Sequence, residues 1–288
     1  MPGLVEAAVA TLFFASAAIL VRGADGVPPA AIAFFRMFLA SLVMLAFAAV
    51  RRAPLLPPPG RRSRFLLYGL VTAGHFIFYI ASLGLTTIAH ALVLVNLAPL
   101  FTAALGAALL RERPSPRQYP GMVIALVGVA VLAGFEPRLS GRMLLGDLFA
   151  LISGALYGVY SVIGRSERER LPLPTYALAV YATAAVWLWP LAGFPTALPG
   201  GSARLSLALL ALLPTCFGHT LYNAALRKGQ AAYVNLIATQ EATGGIILGA
   251  LLLREYPSPL SLTGALIAIA GIAWTTIVSR PARGDGAA

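Results

Sequence analysis

Apolar runs of about 18 to 23 residues, the length that carries a helix across ~30 Å of hydrocarbon, repeat along the whole 288-residue chain. Short clusters of Pro, Gly and Arg close each run, as at Gly26-Val27-Pro28-Pro29, the stretch from Pro54 to Arg64, and Arg113-Pro114-Ser115-Pro116. These are the residues that turn chemistry selects. The pattern predicts ten membrane-spanning helices at 4–21, 28–50, 65–84, 89–110, 116–134, 144–164, 172–192, 204–226, 231–253 and 259–279. The first run carries Glu6, lacks a positively charged leader and is followed directly by further spans. It reads as the first membrane helix rather than a signal peptide. The fold class expected is an all-α integral membrane protein.

An internal repeat gives the runs an order. Residues 105–132 read LGAALLRERPSPRQYPGMVIALVGVAVL, and residues 248–275 read LGALLLREYPSPLSLTGALIAIAGIAWT. At a constant offset of 143, Gly106, Arg111, Glu112, Pro114, Ser115, Pro116, Gly121 and Gly128 match Gly249, Arg254, Glu255, Pro257, Ser258, Pro259, Gly264 and Gly271. Each copy holds five spans, and an odd number turns the second copy upside down. The expected organisation is therefore a first repeat over 1–138, an inverted second repeat over 139–281, and a tail at 282–288. Inverted repeats characterise secondary transporters, whose substrate sites lie near the bilayer midplane between the halves.

Composition and charge sharpen this picture. The chain is 59% hydrophobic and 11% charged, with net charge +11. Of 21 Lys and Arg, fifteen fall in the loops and tail that share a side with both termini, five fall on the opposite side, and Arg36 lies inside a span. The positive-inside rule then puts both termini in the cytoplasm. Nucleic acid is not an expected partner, because the basic residues sit in short loops and form no stripe with exposed aromatics. The single cysteine, Cys216, excludes an intrachain disulfide and a cysteine metal cluster. No cofactor or metal is implied. HExxH and GxSxG are absent, and the three aspartates, Asp25, Asp147 and Asp285, stand too far apart in sequence for a paired magnesium motif, which argues against an enzyme. A passive channel lacks a repeated ring of charge or carbonyls here. The lipid bilayer and a small-molecule substrate are the expected partners, with either a monomer or a homodimer compatible.

With these residues in view, the chain resembles the drug/metabolite transporter superfamily, specifically its EamA-type exporters, including those of aromatic amino acids. The resemblance rests on Phe34-Phe35-Arg36-Met37-Phe38-Leu39-Ala40 early in the second span and on Leu97-Ala98-Pro99-Leu100-Phe101 in the fourth. It rests also on the Glu-containing turn that leads into a Gly-x6-Gly helix in both halves. The chain departs from the pattern where Ala242, beside Gln240 and Glu241, stands in the place of Pro99, and where the first span has no tryptophan. The resemblance implies a ten-helix bundle with spans 1–4 and 6–9 around a central cavity and spans 5 and 10 outside it. It implies an exporter of amino acids or related metabolites at the bacterial inner membrane.

Polar groups at mid-span are the candidates for chemistry, because burying them against lipid is costly. These are His75 and Tyr79 in the third span, Asn96 in the fourth, Tyr157 and Tyr160 in the sixth, His219, Tyr222 and Asn223 in the eighth, and Gln240 and Glu241 in the ninth. His75 and His219 lie 144 apart, nearly the repeat offset, so inversion would set them facing each other. Each could bind a substrate carboxylate or simply bond a neighbouring carbonyl. Glu241, the mid-span carboxylate, suits a substrate ammonium or a coupling proton; a structural link to Arg36 or His219 is the plainer reading. Arg36 lies about two turns into its span from the outer side, where it could bind a carboxylate or snorkel outward, and its family position favours a structural role. Asp147 lies near a helix end with water close by. Trp187 and Trp189 fit an interfacial belt. Pro99 and Pro214 should kink their helices, and Gly154-x3-Gly158 and Gly245-x3-Gly249 should allow close helix approach. One lysine in total, Lys228, argues against phosphorylated substrates. A zwitterion with an apolar side chain fits this mixed set best, moved by alternating access, with organic cations as the alternative.

Overall fold

The computed structural model describes residues 3–109, 115–134, 140–163, 167, 170–228 and 237–278, and these residues are helical without any strand. Ten passes follow one another. They are α1 (Leu4–Ala15 with Ala17–Gly23), α2 (Pro29–Val50), α3 (Arg62–Leu83), α4 (Ile88–Val95 with Ala98–Leu109) and α5 (Tyr119–Gly134). The second half has α6 (Gly141–Ile163), α7 (Leu173–Leu191), α8 (Gly201–Leu210, Ala211–His219 and Thr220–Lys228), α9 (Gln240–Leu253) and α10 (Pro259–Ile277). Helix ends fall within a few residues of the apolar runs wherever both are described. The turn residues Arg111, Glu112 and Pro114, the boundary at 138/139, the stretch 231–236 and the tail 282–288 lie outside the described residues.

The repeated Pro-Ser-Pro has a local cause. Ser258 caps α10, its side chain accepting from the Ser261 amide, and Pro259 takes the first helical position. In the first copy the Ser115 amide donates to Gln118 Oε1 and the Gln118 amide to the Ser115 carbonyl, and Pro116 opens a short 3-10 turn that runs into α5. Ser satisfies an orphan amide and Pro gives up none that was needed. The preceding helix α9 stops at Arg254, whose φ of 55° is left-handed.

Packing reveals the internal twofold. Helix α3 lies on α6 and α7, and α8 lies correspondingly on α1 and α2. Helices α2 and α7, α4 and α9, and α5 and α10 pair across the axis. The last pair shows the symmetry at atomic level. A Cβ on Gly128 would stand 2.2 Å from the Ala268 nitrogen and 2.8 Å from the Gly264 oxygen, and a Cβ on Gly271 would stand 2.3 Å from the Ala125 nitrogen and 2.6 Å from the Gly121 oxygen. Those contacts exchange under the offset of 143. Helices α5 and α10 pack chiefly on each other, outside the remaining eight.

Three helices are interrupted where the chain needs room. Pro99 cannot donate to the preceding turn, and α4 breaks at Asn96-Leu97, with the Asn96 side chain donating to the Leu92 oxygen. Pro214 lies in a π-helical segment, Ala211–His219, which widens α8 by one residue per turn. Helix α1 shifts at Ser16, whose hydroxyl bonds the Phe13 oxygen. Gly154 and Gly158 bring α6 against the backbone of α4, beside Val95 and Thr102, and Gly245 and Gly249 set α9 against Leu92 and Ile88. Helices whose apolar faces point outwards, such as Leu42, Leu45 and Phe47 on α2 and Leu251 on α9, present them to lipid.

Candidate functional site

A narrow cavity lies between the halves, lined by Phe14, Ala17, Arg36, His75, Phe76, Tyr79, Val95, Asn96, Tyr157, His219 and Glu241. A second, smaller space shares His75, Phe76, Tyr157 and His219 with it and extends past Thr72, Tyr160, Val180 and Tyr181. Both halves supply the walls: α1 to α4 on one side, α6 to α9 on the other.

Its aromatic frame is symmetric. His75 stacks on Tyr157 with ring centroids 5.1 Å apart, and His219 meets Phe14 at 4.7 Å. Residues 14 and 157 differ by 143, so the two His–aromatic pairs are mates under the twofold. Phe76 bridges them, edge to face with His219 at 5.5 Å and tilted against His75 at 4.7 Å. His75 Nδ1 lies 2.8 Å from Ser153 Oγ and 3.1 Å from the Ser153 carbonyl, while the Ser153 hydroxyl can also reach the His75 carbonyl at 3.0 Å. The histidines thus face one space as the inversion requires, and only His75 is pinned.

The charges are not symmetric. Arg36 comes from α2 and Glu241 from α9, and the offset places alanines, Ala179 and Ala98, at their mates. The expected outward snorkelling of Arg36 is corrected: the side chain is 2% exposed and turned inward. Its Nε donates to Thr215 Oγ1 at 2.7 Å, and its guanidinium carbon lies 4.1 Å above the Phe76 ring. Among the described residues its Nη1 has no bonded partner, and neither does the hydroxyl of Tyr79. Glu241 bonds neither Arg36 nor His219, so the structural link expected of it is also absent among the described residues.

Three other candidates fall elsewhere. Gln240 is exposed and accepts from Thr243 one turn on, because neighbouring helix residues point about 100° apart. Tyr222 is 2% exposed in a small cluster with Ala7, Ala10, Phe14 and Ala225, touching Tyr157 at 6.3 Å rather than lining the cavity. Asn223 donates to the His219 carbonyl at 2.8 Å, and its Oδ1 is buried without a partner. Trp187 and Trp189 are half exposed on α7, and Trp187 Nε1 donates to the Leu66 carbonyl at 2.9 Å.

Sequence reasoning missed a second polar cluster, at the end of the bundle where α1, α3 and α9 finish. Asp147, expected near water, is 6% exposed. It accepts from Thr86 Oγ1 at 2.7 Å and pairs with His90 Nδ1 at 3.0 Å, while His90 Nε2 lies 3.5 Å from Ser261 Oγ. Beside it Arg22 bridges to Glu255 at 3.3 Å and donates to the Thr86 carbonyl, and the Ile88 amide donates to Glu255. At the opposite end Arg61 and Arg64 hold the buried Glu167, and Lys228 holds Glu6. Nearly all these bonds join one half to the other.

A ten-helix bundle of two inverted halves, closed at both ends by polar ties and hollow in the middle, is the architecture of a membrane carrier. The EamA-like transporter family model matches the chain twice, over residues 1–134 and 144–277, and the chain belongs to that family. It is 26% identical over 271 residues to a probable amino-acid metabolite efflux pump of Salmonella typhimurium, covering 88% of this chain and 87% of that one. It is 27% identical over 295 residues to the uncharacterized inner membrane transporter YhbE of Escherichia coli, covering 89% of each. A solved structure titled only as the crystal structure of a protein superposes with a TM-score of 0.71 over 97% of this chain and 99% of that one, at 22% identity. That likeness speaks to the fold.

Proposed function

We propose that this transporter exports small zwitterions, amino acids above all, through the central cavity by alternating access. One observation carries the reading: within a symmetric frame of His and aromatic rings, one half supplies a buried cation, Arg36, and the other a carboxylate, Glu241, and no close ion pair joins the two among the described residues. Buried charges are normally paired. A cavity that keeps an unpaired cation and an acceptor apart is matched by a ligand with both charges, and the rings around His75, Phe76 and Tyr157 suit an apolar or aromatic side chain. An organic cation would use Glu241 but leave Arg36 unmet. The efflux pump of Salmonella typhimurium supports the amino-acid assignment.

The bias of Lys and Arg towards one set of loops supports a cytoplasmic membrane location with both termini in the cytoplasm. On that orientation the Asp147–His90 cluster closes the outer end and the Glu167 and Glu6 ties close the inner one. The site residues are nearly sealed, with His75 at 7% and Tyr79 at 3% exposure, so loading requires one set of ties to part.

The test is uptake of labelled aromatic and aliphatic amino acids into proteoliposomes of the purified chain, with and without an imposed pH gradient. Saturable uptake is expected. Uptake no greater than in empty liposomes, alongside saturable uptake of an organic cation, would replace the amino-acid reading.

A further inference from the structure

Arg36 is fixed in a way that leaves one part of it free. Two contacts hold the guanidinium: Thr215 Oγ1 receives Nε, and the Phe76 face lies beneath the guanidinium carbon. Thr215 is itself locked. Its hydroxyl donates to the Leu210 carbonyl five residues back, at 2.9 Å, and its own carbonyl accepts from the Tyr181 hydroxyl at 3.3 Å. The five-residue reach is the π-helical register, made available because Pro214 cannot supply the ordinary amide donor. Thr215 is 0% exposed, so no water competes for this bond.

Nη1 remains, on a residue that lines the cavity, with no bonded partner among the described residues. The Tyr79 hydroxyl, lining the same cavity one turn beyond His75, is equally unmet. Leaving a buried donor unsatisfied costs about 1–3 kcal/mol. Two such donors in one wall, one of them charged, define an acceptor-shaped vacancy in the chemistry of the site. Carboxylates take paired donors of this kind most strongly.

We propose that Arg36 Nη1 and the Tyr79 hydroxyl form a carboxylate subsite, and that Thr215, from the π-helical segment of α8, is the positioning residue that presents Arg36 to it. The proposal rests on the reading of the cavity as the substrate site. It adds an orientation: the carboxylate lies towards α2 and α3, and the ammonium towards Glu241 on α9.

Binding to the purified full-length chain tests this with three probes of similar shape: L-phenylalanine, 3-phenylpropionate, which lacks the ammonium, and phenethylamine, which lacks the carboxylate. Calorimetry should show both carboxylates binding and phenethylamine at least about tenfold weaker than phenylalanine. Tyr79→Phe and Thr215→Val should each weaken both carboxylates about tenfold, about 1.4 kcal/mol, and leave phenethylamine unchanged. Thr215→Ser, which keeps the hydroxyl, should restore carboxylate binding; a merely structural role for Thr215 would weaken all three probes alike. Phenethylamine binding as tightly as phenylalanine, or carboxylate binding indifferent to both Tyr79→Phe and Thr215→Val, would overturn the subsite and leave the cavity standing as a binding site. If neither carboxylate binds, the subsite and the zwitterion reading fall together.

Discussion

The central cavity and the cluster around Asp147 hold similar residues under opposite conditions. Both bury a histidine and a charged group at the boundary of the two halves. Around Asp147 the groups satisfy one another, the carboxylate accepting from Thr86 and pairing with His90 across the boundary. In the cavity they do not: Arg36 Nη1 and the Tyr79 hydroxyl line the same space as Glu241 and have no bonded partner among the described residues. Burial alone therefore does not distinguish a tie from a binding site. Satisfaction does, since a closed network gains nothing from a ligand and an open one does.

The comparison predicts opposite costs. Asp147→Asn puts an amide donor where Thr86 and His90 already donate, and leaves a buried donor unmet. It should lower stability by about 3 kcal/mol, read as a loss of thermal midpoint in detergent. Arg36→Gln removes a charge that no close ion pair holds among the described residues, so stability should hold within about 1 kcal/mol. Its affinity for phenylalanine should fall about thirtyfold, about 2 kcal/mol, as a charge-assisted hydrogen bond is lost. A destabilised Arg36→Gln protein with unaltered binding would reverse the contrast.

Next in size are the glycines of the α5–α10 pair, which belong to neither region. Gly128→Ala and Gly271→Ala each place a methyl against backbone that cannot yield cheaply. Overpacking of this kind costs about 2 kcal/mol. Because the contacts are mates under the twofold, the two losses should agree, and the affinity of the cavity for phenylalanine should be unchanged. Unequal losses would show that the halves share a path but not an interface.

The bundle was legible in the chain because lipid imposes span length and because the Leu-Arg-Glu-x-Pro-Ser-Pro block records the duplication. In the second copy that block forms a helix stop and a helix start, the left-handed Arg254 and the Ser–Pro cap. His75, Tyr79, Asn96, Tyr157, His219 and Glu241 were legible as mid-span polar groups, and each lines the cavity. Gln240 shows the limit of that signal, since depth in the membrane is read from position but facing is set by helix phase. Phe14 was recoverable by subtracting 143 from Tyr157. Thr215 and the π-helical turn were not, because a proline inside a span marks a break without giving its register. Asp147 was misplaced for a related reason: a residue near a helix end is wet or dry according to the loops folded over it, here residues 84–87.

The smallest expected effect is also the one that divides the cavity itself. Glu241 carries no protein bond to lose, so Glu241→Gln should leave the thermal midpoint unchanged or slightly raised. The neutral amide still offers an oxygen to an ammonium but no charge. Affinity for L-phenylalanine should fall about tenfold, about 1.4 kcal/mol. Affinity for 3-phenylpropionate should hold or rise, because removing a carboxylate near an anionic ligand relieves like-charge repulsion. Arg36→Gln inverts the pattern, hurting phenylpropionate at least as much as phenylalanine. The two variants together assign the ends of the zwitterion to the two halves of the protein. Equal loss of both ligands in Glu241→Gln would instead make Glu241 a general support of the cavity, and the charge asymmetry between the halves would then have no part in recognition.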